Sequence, residues 1–145
     1  MIKTEPIDVL AEYLEVSTEE LSEESYDYYG LPLFSLGSQQ YAIALMDDDA
    51  TDATVENIKE SLWAFTSSFI VSECGLPYDL SEVFAAYQEN RCESANDAIL
   101  SLIEKTCTLK TFVDDAISAD GRGHFLGGYD GEEIEFKDSF IYRIN

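Results

Sequence analysis

Apolar residues recur along this chain in two rhythms, and the switches between them mark out its elements. After Pro6, which suits the first turn of a helix, Ile7, Leu10, Ala11 and Leu14 fall at i, i+3, i+4 and i+7 and form one apolar helical face. Ser17-Thr18-Glu19-Glu20 then reads as a capping box, Ser17 with Glu20, opening a short acidic turn. Residues 25–46 take the strand rhythm. Leu31 to Leu36 and Tyr41 to Leu45 flank Gly37-Ser38-Gln39-Gln40, a four-residue connection that fits a hairpin. Pro32 belongs at the start or edge of its strand, because it has no N–H to give a ladder.

From Asp47-Asp48-Asp49 onward the rhythm is helical. The spacing of Val55, Ile58, Leu62, Phe65 and Phe69 predicts one long core helix over about 52–73, stopped by Gly75 and Pro77. Asp79 with Glu82 predicts a second capping box, opening a helix with Leu80, Val83, Phe84 and Tyr87 inward. A further helix from Ser94 carries Ala95, Ala98, Ile99, Leu102 and Ile103, and another, about 109–118, buries Phe112, Val113, Ala116 and Ile117. Residues 119–131 hold five glycines in thirteen positions and read as a loop. Ile134 and Phe136, then Phe140, Tyr142 and Ile144, alternate with polar residues and predict a terminal hairpin. The order is strand pair, helices, strand pair. It implies an α+β fold, a small antiparallel sheet built from the N-terminal and C-terminal hairpins and covered on one face by a layer of four to five helices. With no linker, repeat or low-complexity tract, residues 1–145 read as one domain, of ordinary size and large enough to bury a core.

Charge changes this picture most. Thirty acids face eight bases, for a net charge of −22, and the fourteen acids between Lys3 and Lys59 meet no base at all. Solubility asks for a net charge of only about 2–8 in a small domain, and the excess costs stability through self-repulsion. Direct binding to nucleic acid is disfavoured, since phosphate contact needs clustered Lys and Arg, and so are anionic membrane surfaces. Basic proteins, cations and cationic ligands remain as partners. Duplex DNA carries one charge per about 1.7 Å of axis, so 22 net charges match roughly 37 Å of duplex. A compact chain of this size is about 38 Å across. The acids Glu19, Glu20, Glu23, Glu24, Asp27, Asp47, Asp48, Asp49 and Asp52 form the expected partner surface, either as a nucleic-acid mimic or as an ordinary solvated face.

Other chemistry is thinner. Cys74, Cys92 and Cys107 are odd in number and lack metal spacing, which fits free, mostly buried thiols in a reducing compartment. The opening Met1-Ile2-Lys3-Thr4-Glu5-Pro6 has no apolar leader run and no segment approaches a membrane span, so a cytoplasmic location is expected. Asp47, Asp48, Asp49 and Asp52 lack the spacing of a calcium loop and suit the positive end of a helix instead. No metal, cofactor or nucleophilic triad is expected. The glycine-rich segment offers Asp120, Arg122, His124, Tyr129 and Asp130 as a ligand-contacting set. There Arg122 would clamp an anion, the lone His124 would act as an acid–base group, and Asp120 or Asp130 would orient its ring. The competing reading makes the same glycines turn formers and Arg122 the partner of a nearby acid.

Asp120-Gly-Arg-Gly-His-Phe-Leu126, Tyr129-Asp-Gly-Glu-Glu133 and Phe140-Ile-Tyr-Arg-Ile-Asn145 resemble the C-terminal signature of small hypothetical proteins encoded by bacteriophages and prophages. Tyr28-Tyr29-Gly30-Leu31 with Tyr41-Ala42-Ile43, and Ser61-Leu62-Trp63-Ala64-Phe65, are similar to the same group. The resemblance implies a phage setting and host cytoplasm and carries no catalytic residue. Three functions are therefore expected. The first is an acidic protein that inhibits or modulates a basic, nucleic-acid-binding host protein, of an anti-restriction, anti-CRISPR or host-takeover type. The second is a small-molecule site or enzyme on the Asp120–Asp130 loop. The third is an assembly protein using the tyrosines around Tyr26, Tyr28, Tyr29 and Tyr41.

Overall fold

A computed structural model describes residues 5–145; the first four residues, on which part of the leader reading falls, lie outside the described residues. The chain forms two compact units, one from the described residues up to Val55 with Asp120–Asn145, the other from Glu56–Ala119.

The first unit holds the sheet. Helix α1 (Pro6–Leu14) starts with Pro6 in its first turn and ends at Glu15, whose left-handed backbone (φ 58°) lets the Val16 N–H return to the Ala11 carbonyl at 3.0 Å. The acidic turn is present as a 3₁₀ turn, Thr18–Glu20, with Glu20 accepting the Ser17 N–H at 2.9 Å. Strands β1 (Ser22–Glu23), β2 (Leu33–Leu36), β3 (Gln39–Ala44), β4 (Ile134–Phe136) and β5 (Ser139–Arg143) are antiparallel throughout, in the order β1-β2-β3-β5-β4. Both expected hairpins exist, and they join along β3 and β5, with Ala42 opposite Tyr142. The first hairpin is tighter than the sequence predicts. Leu36 pairs with Gln39 across a two-residue turn, Gly37-Ser38, because Gly37 takes φ 62°, which a short hairpin loop calls for.

Helices cover both faces of this sheet rather than one. On one face Val9, Leu10 and Ala11 of α1 pack with Phe34, Tyr41, Ile43 and Ile141. On the other, Ala50 and Ala53 of helix α2 (Asp47–Ser61) pack with Leu31, Leu33, Ala42, Ala44, Tyr142 and Leu126. The alternation of Tyr41 and Ile43 with Ala42 and Ala44 explains the difference. Large side chains meet α1, while the two alanines leave room for helices to approach the opposite face.

The second unit continues from the later turns of α2 through helices α3 (Ser67–Glu73), α4 (Ser81–Arg91), α5 (Asn96–Thr106) and α6 (Leu109–Asp120). Ile58, Leu62, Ile70, Val71, Ile99, Ile103, Phe112 and Val113 are buried, and the rings of Phe65, Phe69 and Phe112 meet at 5.1–5.7 Å. The single helix expected over 52–73 is broken. A 3₁₀ turn, Leu62–Ala64, follows α2, and Phe65 and Thr66 are extended before α3 begins. Side chains from elsewhere in the unit take over the freed backbone groups. Asn96 accepts the Trp63 N–H at 2.9 Å, and the Gln88 amide donates to the carbonyls of Trp63 (2.9 Å) and Phe65 (2.7 Å).

Helix α4 also departs from expectation. Leu80 and Val83, expected inward, are 38% and 65% exposed, Phe84 and Tyr87 are half-buried, and the buried residue of the helix is Gln88. A polar residue faces the core here because it has backbone carbonyls to satisfy. No helix among the described residues is long and apolar enough to cross a membrane.

Candidate functional site

The expected loop at 119–131 is largely helical. Helix α6 runs to Asp120, Gly121 breaks it at φ 83°, and a further helix, α7 (Arg122–Leu126), follows at once. The glycines make this possible by size more than by flexibility. Gly123 lies in α7 and Gly127 caps its end, four residues on. A Cβ at Gly123 would meet the Glu132 backbone carbon at 2.6 Å, and one at Gly127 would meet the Glu132 carbonyl oxygen at 2.7 Å. Two hydrogens in place of methyl groups therefore let α7 lie directly against the backbone that leads into β4. Composition signals a loop in this segment, but close packing wins.

That approach buries Arg122. Its side chain is 11% exposed, and its guanidinium is engaged through Nε and Nη1 within the first unit. Nε donates to Glu133 at 2.9 Å, and Nη1 donates to the Asp47 carboxylate (2.9 Å), the Asp47 carbonyl (3.1 Å) and Thr51 (3.1 Å). The group also stacks over the Phe140 ring at 4.7 Å. Glu133 accepts a second hydrogen bond, from the Tyr142 hydroxyl. Burial works against the Arg122 charge, but Glu133, Tyr142 and Asp47 outweigh it and push its pKa upward. Burial, then the hydrogen bond and charge of Glu133, push the Tyr142 hydroxyl well above the ordinary tyrosine value. The result is a closed network tying α7, the first turn of α2 and β5 together. It is built for holding elements in place: the guanidinium that would clamp an anion already grips two carboxylates of its own chain.

The other residues of the expected set are not brought together around Arg122. Asp120 is exposed at the end of α6. His124 is exposed, its ring edge-on to Phe125 at 4.9 Å, and among the described residues no hydrogen bond or ion pair joins it to Asp120 or Asp130. Asp130 accepts the Glu132 N–H at 3.0 Å and so closes a local turn. Tyr129 is 58% exposed and lies under the Arg143 guanidinium at 3.7 Å. Glu133, Thr51, Phe140 and Tyr142 complete the network, and sequence reasoning missed their part in it. No local signal points to them, because Arg122 stands 71 positions from Thr51 and 11 from Glu133.

The acidic set forms the other candidate. Asp48, Asp49 and Asp52 are exposed on α2, with Asp48 and Asp52 one turn apart, about 6 Å along the axis. Glu19, Glu20, Glu23 and Asp27 are exposed on the segment around β1, while Glu24 is half-buried and accepts the Ser35 hydroxyl. Of the nine acids, Asp47 alone is neutralised by a base among the described residues. The described bases of the first unit are Arg122, Lys137 and Arg143. They are occupied by Glu133 and Asp47, by Glu12, and by the Tyr129 ring. Thirteen acids in residues 5–55 and six in 120–145 share those three charges, which leaves a dense anionic surface.

The tyrosines of the first hairpin are mostly internal. Tyr28 donates to the Leu126 carbonyl at 2.9 Å and is pushed up to about 12 by burial and then by Tyr29; Tyr41 is 7% exposed; Tyr26 alone of the four is strongly exposed, at 57%. Cys74 is buried, Cys107 half-buried and Cys92 exposed. Among the described residues no group of three or more His, Cys, Asp or Glu side chains is arranged to hold a metal ion. Compared with protein-family models, with curated proteins and with solved structures, the chain matches none of them.

Proposed function

We propose that this chain is an acidic binding protein, of phage setting, that inhibits or modulates a basic nucleic-acid-binding protein of the host by covering the surface meant for phosphates. The observation that carries the reading is the lack of neutralisation. Glu19, Glu20, Glu23, Asp27, Asp48, Asp49 and Asp52 are exposed without an ion pair among the described residues, while the bases nearby in the fold are engaged elsewhere. Such a surface attracts a basic groove over about a Debye length and speeds its encounter. The engagement of Arg122 weighs against a small-anion site on α7 and so favours this reading over an enzyme.

The test is retention of proteins from bacterial lysate on the immobilised chain at low salt, followed by a salt gradient. The expected result is a specific nucleic-acid-binding protein that elutes as salt rises and whose binding to DNA or RNA is blocked by the free chain. A partner whose affinity is equal at low and high salt, or which binds nucleic acid and this chain together, overturns the proposal.

A further inference from the structure

A second surface lies wholly within the other unit. Between α4 and α5 runs an open groove of about 240 Å³ lined by Val83, Phe84, Tyr87, Ala98, Ile99 and Leu102. The turn that leads into α4 carries Tyr78 and Leu80, 77% and 38% exposed, and Val83 of the groove is 65% exposed. Three of the six large hydrophobics exposed among the described residues therefore sit within six positions of the chain. In a protein this charged, solubility does not explain an apolar strip, and a contiguous one marks an interaction site.

We infer that this groove receives the apolar face of an amphipathic, Lys- or Arg-bearing helix from the basic partner; the inference rests on the proposed function for the identity of that partner. Two packed helices with an apolar furrow between them present the shape that accepts a third helix through residues at i, i+3, i+4 and i+7. Charge selects among possible occupants. The segment 78–106 that builds the groove carries six acids, Asp79, Glu82, Glu89, Glu93, Asp97 and Glu104, and two bases, Arg91 and Lys105, for a net −4. All six acids are exposed. Arg91 is drawn over the Tyr87 ring, 5.8 Å from its centroid, which leaves Lys105 as the one base of the segment without such a contact. A second copy of this chain brings another −22 and is repelled, and an acidic helix is repelled likewise. A helix with basic flanks satisfies both the apolar floor and the charged rim.

The experiment titrates the full chain with three synthetic peptides of about 18 residues. One has Leu at i, i+3, i+4 and i+7 with Lys elsewhere, one has the same composition in scrambled order, and one has Glu in place of Lys. The first is expected to bind, and Val83→Asp is expected to weaken it about tenfold or more, as for a central anchor. Val83→Asp adds a negative charge, so a loss of affinity for a basic peptide cannot come from weakened electrostatics. Ala98→Glu, at a second exposed position of the groove, repeats the test, and both variants should melt like the parent chain. Equal binding of the scrambled peptide with no effect of either substitution overturns the groove and leaves the acidic-surface reading standing. Equal binding of the Glu peptide overturns the charge selection. Binding of the first peptide that is lost in Val83→Asp but unaffected by salt supports the groove and counts against the acidic-surface reading. Failure of all three peptides to bind overturns the inference.

Discussion

A methyl group at Gly123 would have nowhere to go. Its nearest neighbours are backbone atoms of Gly131, Glu132 and Glu133 at 2.6–2.7 Å, and backbone cannot swing aside as a long side chain can. Gly123→Ala is expected to destabilise the chain by about 3 kcal/mol, the upper end for overpacking. Gly131→Ala, at φ 71° with open space around it, should cost only the left-handed penalty of about 1–2 kcal/mol. Urea melts of the two variants check the ordering; equal losses would mean that conformation, not contact, makes Gly123 necessary. Arg122 is the second decisive residue. Arg122→Ala leaves the half-buried Glu133 carboxylate without its cation, and a loss of about 2–3 kcal/mol is expected, below that of a fully buried pair. Arg122→Lys keeps the charge but loses the fork that reaches Glu133 and Asp47 together, so it should recover only part of that. A double-mutant cycle of Arg122→Ala with Glu133→Gln reads the coupling directly. The sequence marked Arg122 as unusual by its type and its glycine neighbours. It could not show the use made of it, because the network draws Asp47 and Thr51 from a helix more than seventy positions away. The cysteines separate by environment: Cys92 should alkylate first and Cys74 last, since burial raises the Cys74 thiol pKa and hides the sulfur. Peptide mapping after brief iodoacetamide treatment tests this, and prompt labelling of Cys74 would contradict the structure.

Among the elements, those legible from sequence are the ones whose rhythm is local. The helix after Pro6, both hairpins and α6 stand where apolar spacing put them. The long helix expected over 52–73 fails because its apolar stripe carries on through a break made elsewhere. The side chains of Gln88 and Asn96 bind the backbone at Trp63 and Phe65, and α3 restarts only after the extended Thr66. Gln88→Leu keeps roughly the size of the side chain but leaves two inward carbonyls unpaired, so a loss of about 1–3 kcal/mol is expected in urea melts. A neutral result would mean that the break persists without Gln88. The junction of α3 and α6 carries a pH dependence. One Glu73 carboxylate oxygen is shut off from solvent without a hydrogen-bond donor. Burial, then hydrogen bonding to Asp115 and its charge, push Glu73 from the ordinary 4.5 up to about 7. A carboxyl whose folded pKa is raised favours the fold while protonated. Its contribution is complete below about 4.5 and is lost as pH rises through about 7. Tm should therefore fall between about pH 5 and 8, where other carboxylates have already ionised. Glu73→Gln should flatten that slope, and an equal slope in the variant would remove Glu73 as its source.

For the whole molecule, a charge of −22 acts on folding before it acts on any partner. The described ion pairs are five, and three of them, Lys59 with Glu56, Lys110 with Asp114 and Lys137 with Glu12, are exposed and contribute little. Attraction is thus confined largely to the partly buried Arg122 network, while repulsion is spread over most of thirty acids. Salt shortens the range of both but screens buried pairs much less than exposed like charges. The balance fixes a sign: raising NaCl from about 0.01 M to 0.5 M shortens the Debye length from about 30 Å to a few ångströms and should raise Tm. A protein held by surface ion pairs would respond the other way. The same salt range should weaken binding to a basic partner, so stability and affinity are expected to move in opposite directions. That opposition discriminates where either measurement alone does not. Salt that loosened the fold would loosen the complex by unfolding one member of it. A chain that becomes more stable while its complex weakens has lost the complementarity of two charged surfaces. If Tm and affinity both rise with salt, apolar contact dominates the complex and the acidic surface serves solubility alone.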